Sequence, residues 1–106
     1  MSKVKYESLN SANVKISNAS DTSKVYDIEA NANIAASGKE ITSLDGGTVH
    51  KAGTMKASFN LWNPDNMSIS YNGVPASEQC NVLNAINAYV EDARTFVSQN
   101  PVVANE

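Results

Sequence analysis

Cys80 is the only cysteine and His50 the only histidine in the chain, so a thiol nucleophile with a histidine base is the one covalent chemistry these residue types could supply. A cysteine in the first turn of a helix is favoured as thiolate, and Cys80 falls near the start of the helix described below. No signature brings the segment holding His50 to that point. The plainer reading is an incidental, partly exposed thiol. One histidine and one cysteine cannot build a Cys/His cage, and the acids lack calcium-loop spacing, so no metal is expected. Asp45-Gly46-Gly47-Thr48 lacks the lysine and the spacing of a phosphate-cradling loop and reads as a turn. Glu91 and Asp92 diverge by about 100° around a helix, which prevents a paired acid and base; Glu91 with Arg94 is more simply a surface pair. Asn18-Ala19-Ser20 and Asn66-Met67-Ser68 match the glycosylation pattern, which has no meaning in a chain without an export signal. Neither catalytic residues nor a cofactor are expected.

Trp62 is the residue whose chemistry suits recognition. Strand parity sets it with Lys56, Ser58 and Asn60, on the face opposite Phe59 and Leu61. A tryptophan exposed on a polar strand face can anchor a partner. The plainer readings are packing over Pro64 or at the sheet rim, or a bulge that changes its side. Trp62, Asn60, Ser58 and Lys56 are thus the candidate binding residues.

The elements that position them belong to one domain of 106 residues, with strands within 3–72, a helix over about 75–99 and a flexible tail at 101–106. A hydrophobic content of 42% with 18% charged residues is that of a soluble globular chain, and no segment is apolar enough to span a bilayer. Met1 is followed by Ser-Lys-Val-Lys-Tyr-Glu, which lacks the apolar stretch of a signal peptide. A cytoplasmic location is the expectation, and a single cysteine fits a reducing compartment. Residues 1–56 hold seven lysines against six acids, whereas 57–106 hold Arg94 alone against five. That balance argues against a general nucleic-acid binder and confines any basic surface to the strands. The fourteen asparagines are spread without repeats and read as solvated polar faces.

The strongest pattern is helical. Val82, Leu83, Ala85, Ile86, Tyr89, Val90, Ala93, Phe96 and Val97 fall within about 160° of arc at 100° per residue. Pro75 suits the first turn, Ser77 the N-cap, and Glu78 the positive end of the dipole, while Asn100-Pro101 marks the stop. Upstream the pattern has period two. Val4, Tyr6, Val14 and Ile16 alternate with polar residues in two short strands around a turn. Tyr26, Ile28, Ala30, Ala32, Ile34 and Ala36 form the longest strand, whose alanines thin the sheet for a helix to approach. Ser37-Gly38-Lys39 is a turn, and Asp45-Gly46-Gly47 the strongest hairpin signal, with Thr48-Val49-His50 returning. Met55, Ala57, Phe59 and Leu61, then Met67, Ile69 and Tyr71, supply the last inward rows. The fold class is therefore α+β: an antiparallel meander of five to seven short strands with one long C-terminal amphipathic helix packed on one sheet face.

A lone helix covers one face of a sheet and leaves the other for solvent or a partner. The leading expectation is a non-catalytic domain acting by protein interaction or self-association, as in a homodimer, through that uncovered face. One alternative is single-stranded nucleic-acid binding by Lys3, Lys5, Lys15, Lys24, Lys56 and Trp62 on the same face. Another is an enzyme or small-ligand carrier with a pocket between helix and sheet lined by Tyr71, Tyr89 and His50.

Overall fold

The computed structural model describes residues 4–10, 13–63 and 66–101. The turn at 11–12, Pro64-Asp65, the side chain of Tyr6 and the tail beyond Pro101 lie outside the described residues. Six strands, β1 (Lys5–Asn10), β2 (Asn13–Ser17), β3 (Asp27–Ile34), β4 (Ile41–Lys51), β5 (Thr54–Asn63) and β6 (Asn66–Tyr71), precede one helix, α1 (Ala76–Gln99). The strands pair antiparallel in chain order, β1 to β6, as the alternating pattern predicts for a meander.

Every second strand residue turns inward, and three inner rows run across the sheet. Val14, Ala32, Leu44, Leu61 and Met67 are successive partners in the first. Ile28, Val49, Ala57 and Tyr71 form the second. Between them, Ile16 faces Ala30, and Gly47 faces Phe59, which faces Ile69. Each row holds a small residue, Ala32, Ala57, or Ala30 with Gly47, so α1 comes close to the sheet, and it lies nearest β4. The Phe59 ring lies flat on Gly47, where an added Cβ would sit 2.5 Å from the ring carbons. Tyr89 meets Phe59 edge-on, with centroids 6.1 Å apart at 74°, and its hydroxyl donates to the Ile16 carbonyl at 2.7 Å. The helix buries Val82, Ile86, Tyr89, Val90, Ala93 and Val97; Leu83, Ala85 and Phe96 from the same stripe stay half-buried.

Three local expectations are corrected. Asp45-Gly46-Gly47 is not a hairpin turn but a bulge inside β4: Leu44 pairs with Leu61 and Gly47 with Phe59, leaving Asp45 and Gly46 opposite Asn60 alone. Gly46 has φ +60, the left-handed value a glycine bulge requires, and donates its N–H to Asn60 Oδ1 at 3.0 Å. The reversal falls instead at Ala52-Gly53, both with positive φ (52 and 83), between paired Lys51 and Thr54. The long strand ends at Ile34 instead of Ala36, because Gly38 N–H donates to the Ala35 carbonyl and closes a turn that exposes Ala36. Ser77 does not cap the helix. Pro75 holds the N-cap position with extended backbone, and its carbonyl takes the N–H groups of Glu78 and Gln79 at 2.8 and 3.1 Å. The far end stops as expected, with Asn100 donating its backbone and side-chain N–H groups to the Phe96 carbonyl.

The loop from β2 to β3 is tied by a buried asparagine. Asn18 donates through Nδ2 to the Tyr26 carbonyl and accepts from the Ile28 N–H, both at 2.9 Å. Its side chain takes the part of a missing ladder residue.

Two measurements check this packing. Gly47→Ala forces the Phe59 ring off its seat and is expected to cost about 1–3 kcal/mol in denaturant unfolding; an unchanged midpoint contradicts the close approach. Burial holds the Tyr89 hydroxyl well above the ordinary tyrosine value of about 10, with the charge of Glu29 adding to the shift. Its folded value exceeds its unfolded one, so its contribution is complete below about pH 10 and is lost as pH rises toward the folded value. Tyr89→Phe is expected to cost about 1–3 kcal/mol at neutral pH and to flatten the alkaline loss. Alkaline unfolding identical to wild type contradicts the assignment.

Candidate functional site

With α1 on one side, the other sheet face is open and polar. Its outward rows carry Asn13, Asn33 and Ser43, then Lys15, Asn31 and Asp45, then Ser17, Glu29, Thr48, Ser58 and Ser70. Many of these side chains satisfy one another. Asn13 Nδ2 donates to Asn33 Oδ1 at 2.9 Å, and Asn33 Nδ2 donates to Ser43 Oγ at 2.7 Å and Asp45 Oδ2 at 2.8 Å. Lys15 pairs with Glu29 at 3.3 Å. A face held in this way presents fixed donors and acceptors and little apolar area.

The four expected binding residues all lie on β5, but in different situations. Trp62 is 58% exposed. It sits at a bulge, because Leu61 pairs with Met67 and Asn63 with Asn66, leaving Trp62 without an opposite residue. Asn60 is committed to the β4 bulge through Gly46. Ser58 lies between Thr48 and Ser70 in the ladder. Lys56 is half-buried near the start of α1, where its charge helps hold the Glu78 carboxyl ionised. Among the described residues Trp62 and Val25 are the exposed large hydrophobics, and Trp62 is the one that lies on a strand.

The catalytic and ligand readings gain no assembled site. Cys80 is exposed, and its Sγ accepts from Asn84 Nδ2 at 3.8 Å. His50 lines a different hollow of about 350 Å³, beside Asp27 and Glu29. Among the described residues no hydrogen bond joins the two. Tyr71, Tyr89 and His50 do not share a pocket: Tyr71 donates to the Gln79 carbonyl at 3.5 Å, while Tyr89 is buried on Ile16. Glu91 and Arg94 do not come within ion-pair distance among the described residues. No three His, Cys, Asp or Glu side chains among them cluster to hold a metal, and no helix is long and apolar enough to cross a membrane.

A groove of about 520 Å³ does lie between α1 and the β2–β3 loop. Ile28, Tyr89, Ala85 and Ala88 form its floor, Val25 its exposed lip, and Asn81, Asn84 and Asp92 its helical rim. One end is closed by a cluster that sequence reasoning missed. Tyr26 donates to Glu78 Oε2 at 2.8 Å, Lys51 Nζ lies 3.7 Å from the same oxygen, and that ammonium sits 5.6 Å from the Tyr26 ring centroid. The only available signal was Glu78 in a first helical turn without a capping partner. Burial raises the Tyr26 hydroxyl above its ordinary value, with help from Glu78. The Glu78 carboxyl is lowered, first by the Tyr26 hydrogen bond and then by Lys51 and Lys56.

A carboxyl with a depressed folded value contributes stability above its unfolded value, and that contribution is lost as pH falls through the folded one. Glu78→Gln is therefore expected to flatten the fall of Tm with pH below about 4.3. An acid limb unchanged from wild type contradicts the cluster.

Compared with family models, with curated proteins and with solved structures, the chain finds no match, and the roles of these residues rest on their own geometry.

Proposed function

We propose that this is a non-catalytic binding domain that engages a protein partner through its uncovered sheet face, with Trp62 as the anchor. The observation that supports the reading is Trp62, 58% exposed at a bulge in β5, beside a sheet face whose side chains are polar and in part hydrogen-bonded or ion-paired to one another. An aromatic anchor ringed by fixed polar groups is the composition of an interface core and rim. Nucleic-acid binding fits the same face less well. Lys15 is neutralised by Glu29, Lys24 by Asp27, and Asp45 stands in the same row as Lys15. A strand of phosphates meets few unpaired cations there.

A second reading has one observation in its favour. The groove beside α1 has the volume of a small-molecule site and an apolar floor with a polar rim. The two readings use surfaces that one pair of variants separates.

Trp62→Ser removes the anchor and is expected to change the free energy of unfolding by no more than about 0.5 kcal/mol. Partner proteins retained by the immobilised full chain, titrated in solution, are expected to bind the variant about tenfold or more weakly. Ala88→Arg, which fills the groove, is expected to leave that binding unchanged. Loss with Ala88→Arg and retention with Trp62→Ser contradicts the face reading in favour of the groove, and salt-sensitive capture of oligonucleotides contradicts both.

A further inference from the structure

The two edges of the sheet differ in a way that separates a protected strand from one ready to pair. β1 carries Lys5 and a register shift between Tyr6 and Ser8. Charges and bulges are the usual means of blunting an edge. β6 has neither. Its six residues, Asn66 to Tyr71, include no charge and no proline, and its ladder with β5 is regular from Met67 to Tyr71. No strand pairs with its outer side among the described residues. Met67, Ile69 and Tyr71 point to the helix side and pack against the core yet remain half-buried, because α1 lies nearest β4 and covers the last strand only in part, at the Tyr71–Gln79 contact.

The backbone of the same three residues faces outward. Asn72 N–H donates to the Lys56 carbonyl at 2.8 Å. Counting back along the register that pairs Tyr71 with Ala57, hydrogen-bonded pairs alternate, so Ser70 and Ser68 bond to β5. Met67, Ile69 and Tyr71 are left with N–H and C=O groups directed away from the sheet.

We infer that β6 is a self-association edge, on which a second copy of this chain adds its own β6 antiparallel. The occupant follows from symmetry. Around Ile69 the strand reads Met, Ser, Ile, Ser, Tyr, so a two-fold axis at Ile69 sets Ile69 against its own copy, Met67 against Tyr71 and Ser68 against Ser70. Apolar then meets apolar on the helix side and serine meets serine on the open side. The three outward backbone residues of each copy become the hydrogen-bonded pairs. No other register about this strand uses all three. An uncharged edge also meets its copy without like-charge repulsion, whereas the β1 edge of another molecule would bring Lys5 and a bulge. The product is a continuous twelve-stranded sheet with both helices on one side. This pairing does not depend on the role proposed for Trp62.

Sedimentation equilibrium of the full chain, from micromolar to near-millimolar concentration, tests it. The expected mass rises to twice the 11.3 kDa of one chain. Ser68→Lys with Ser70→Lys sets lysines against lysines across the axis on an exposed face, and is expected to weaken dimerisation about tenfold or more with unchanged circular dichroism. Trp62→Ser is expected to dimerise like wild type. A cross-link reads the register without relying on a weakened fold. In a Cys80→Ser background, Ser68→Cys mixed with Ser70→Cys is expected to form a disulfide-linked dimer, and neither variant alone. A wild-type chain that stays monomeric throughout overturns the proposal, as does a dimer that survives the paired lysines, is lost in Trp62→Ser, or cross-links through Ser68→Cys alone.

Discussion

Tyr89 reaches across the sheet because nothing large stands in its way. Gly47 lets the Phe59 ring lie on the backbone, Ala30 clears the next strand, and the tyrosine passes the ring edge to bond the Ile16 carbonyl of β2. One side chain of the helix is thereby fixed to both the middle of the sheet and its N-terminal part. The contact is apolar along its length and polar only at its tip, so its geometry selects one position for the helix where greasy packing alone would tolerate several. Without the small floor the ring and the tyrosine would compete for one space, and the helix would stand off the sheet.

The surfaces available for function follow from where that contact holds α1. A helix over β4 is too narrow to cover six strands. On one flank it leaves a groove beside the β2–β3 loop, closed at its end by Tyr26, Glu78 and Lys51. On the other it leaves the apolar row of β6 half in solvent. The opposite face has no cover, and on it Asn13, Asn33, Ser43 and Asp45 bond one another while Lys15 pairs with Glu29. Trp62, pushed out by a bulge, is the exception on an otherwise polar sheet. Recognition surfaces and a groove are thus consequences of the same packing choice.

Much of this architecture was legible in the residues. The helical stripe from Val82 to Val97 and the parity of β3 and β5 are each set by burial with a fixed period, and burial decided them in the structure. The expectation that alanines thin the sheet held at Ala30 and Ala32. Position-specific backbone was less legible. Asp-Gly-Gly suits a hairpin and a glycine bulge equally, because both need positive φ. The choice was made by Phe59 and Asn60 across the strand, which no local pattern contains. The true reversal used Ala52, a residue seldom found at positive φ. The helix begins at Ala76, with Pro75 as an N-cap that has no side-chain cap bond, so Ser77 lies inside the first turn. Of the candidate site, the exposure of Trp62 agrees with the expectation, but the bulge at that position breaks the strand parity from which its side was read, while the Tyr26–Glu78–Lys51 cluster joins residues far apart in sequence and leaves only Glu78 in a first helical turn as a local trace.

The central claim is that helix and sheet are one cooperative unit joined at Tyr89. Native-state hydrogen exchange on the intact chain tests it most directly. The slowest amides of α1 around Tyr89 and those of β3 and β4 are expected to share a single opening free energy that changes in parallel with denaturant. Helix amides that open well before those of the sheet would contradict it, since α1 would then be an independent rod resting on a sheet that stands without it.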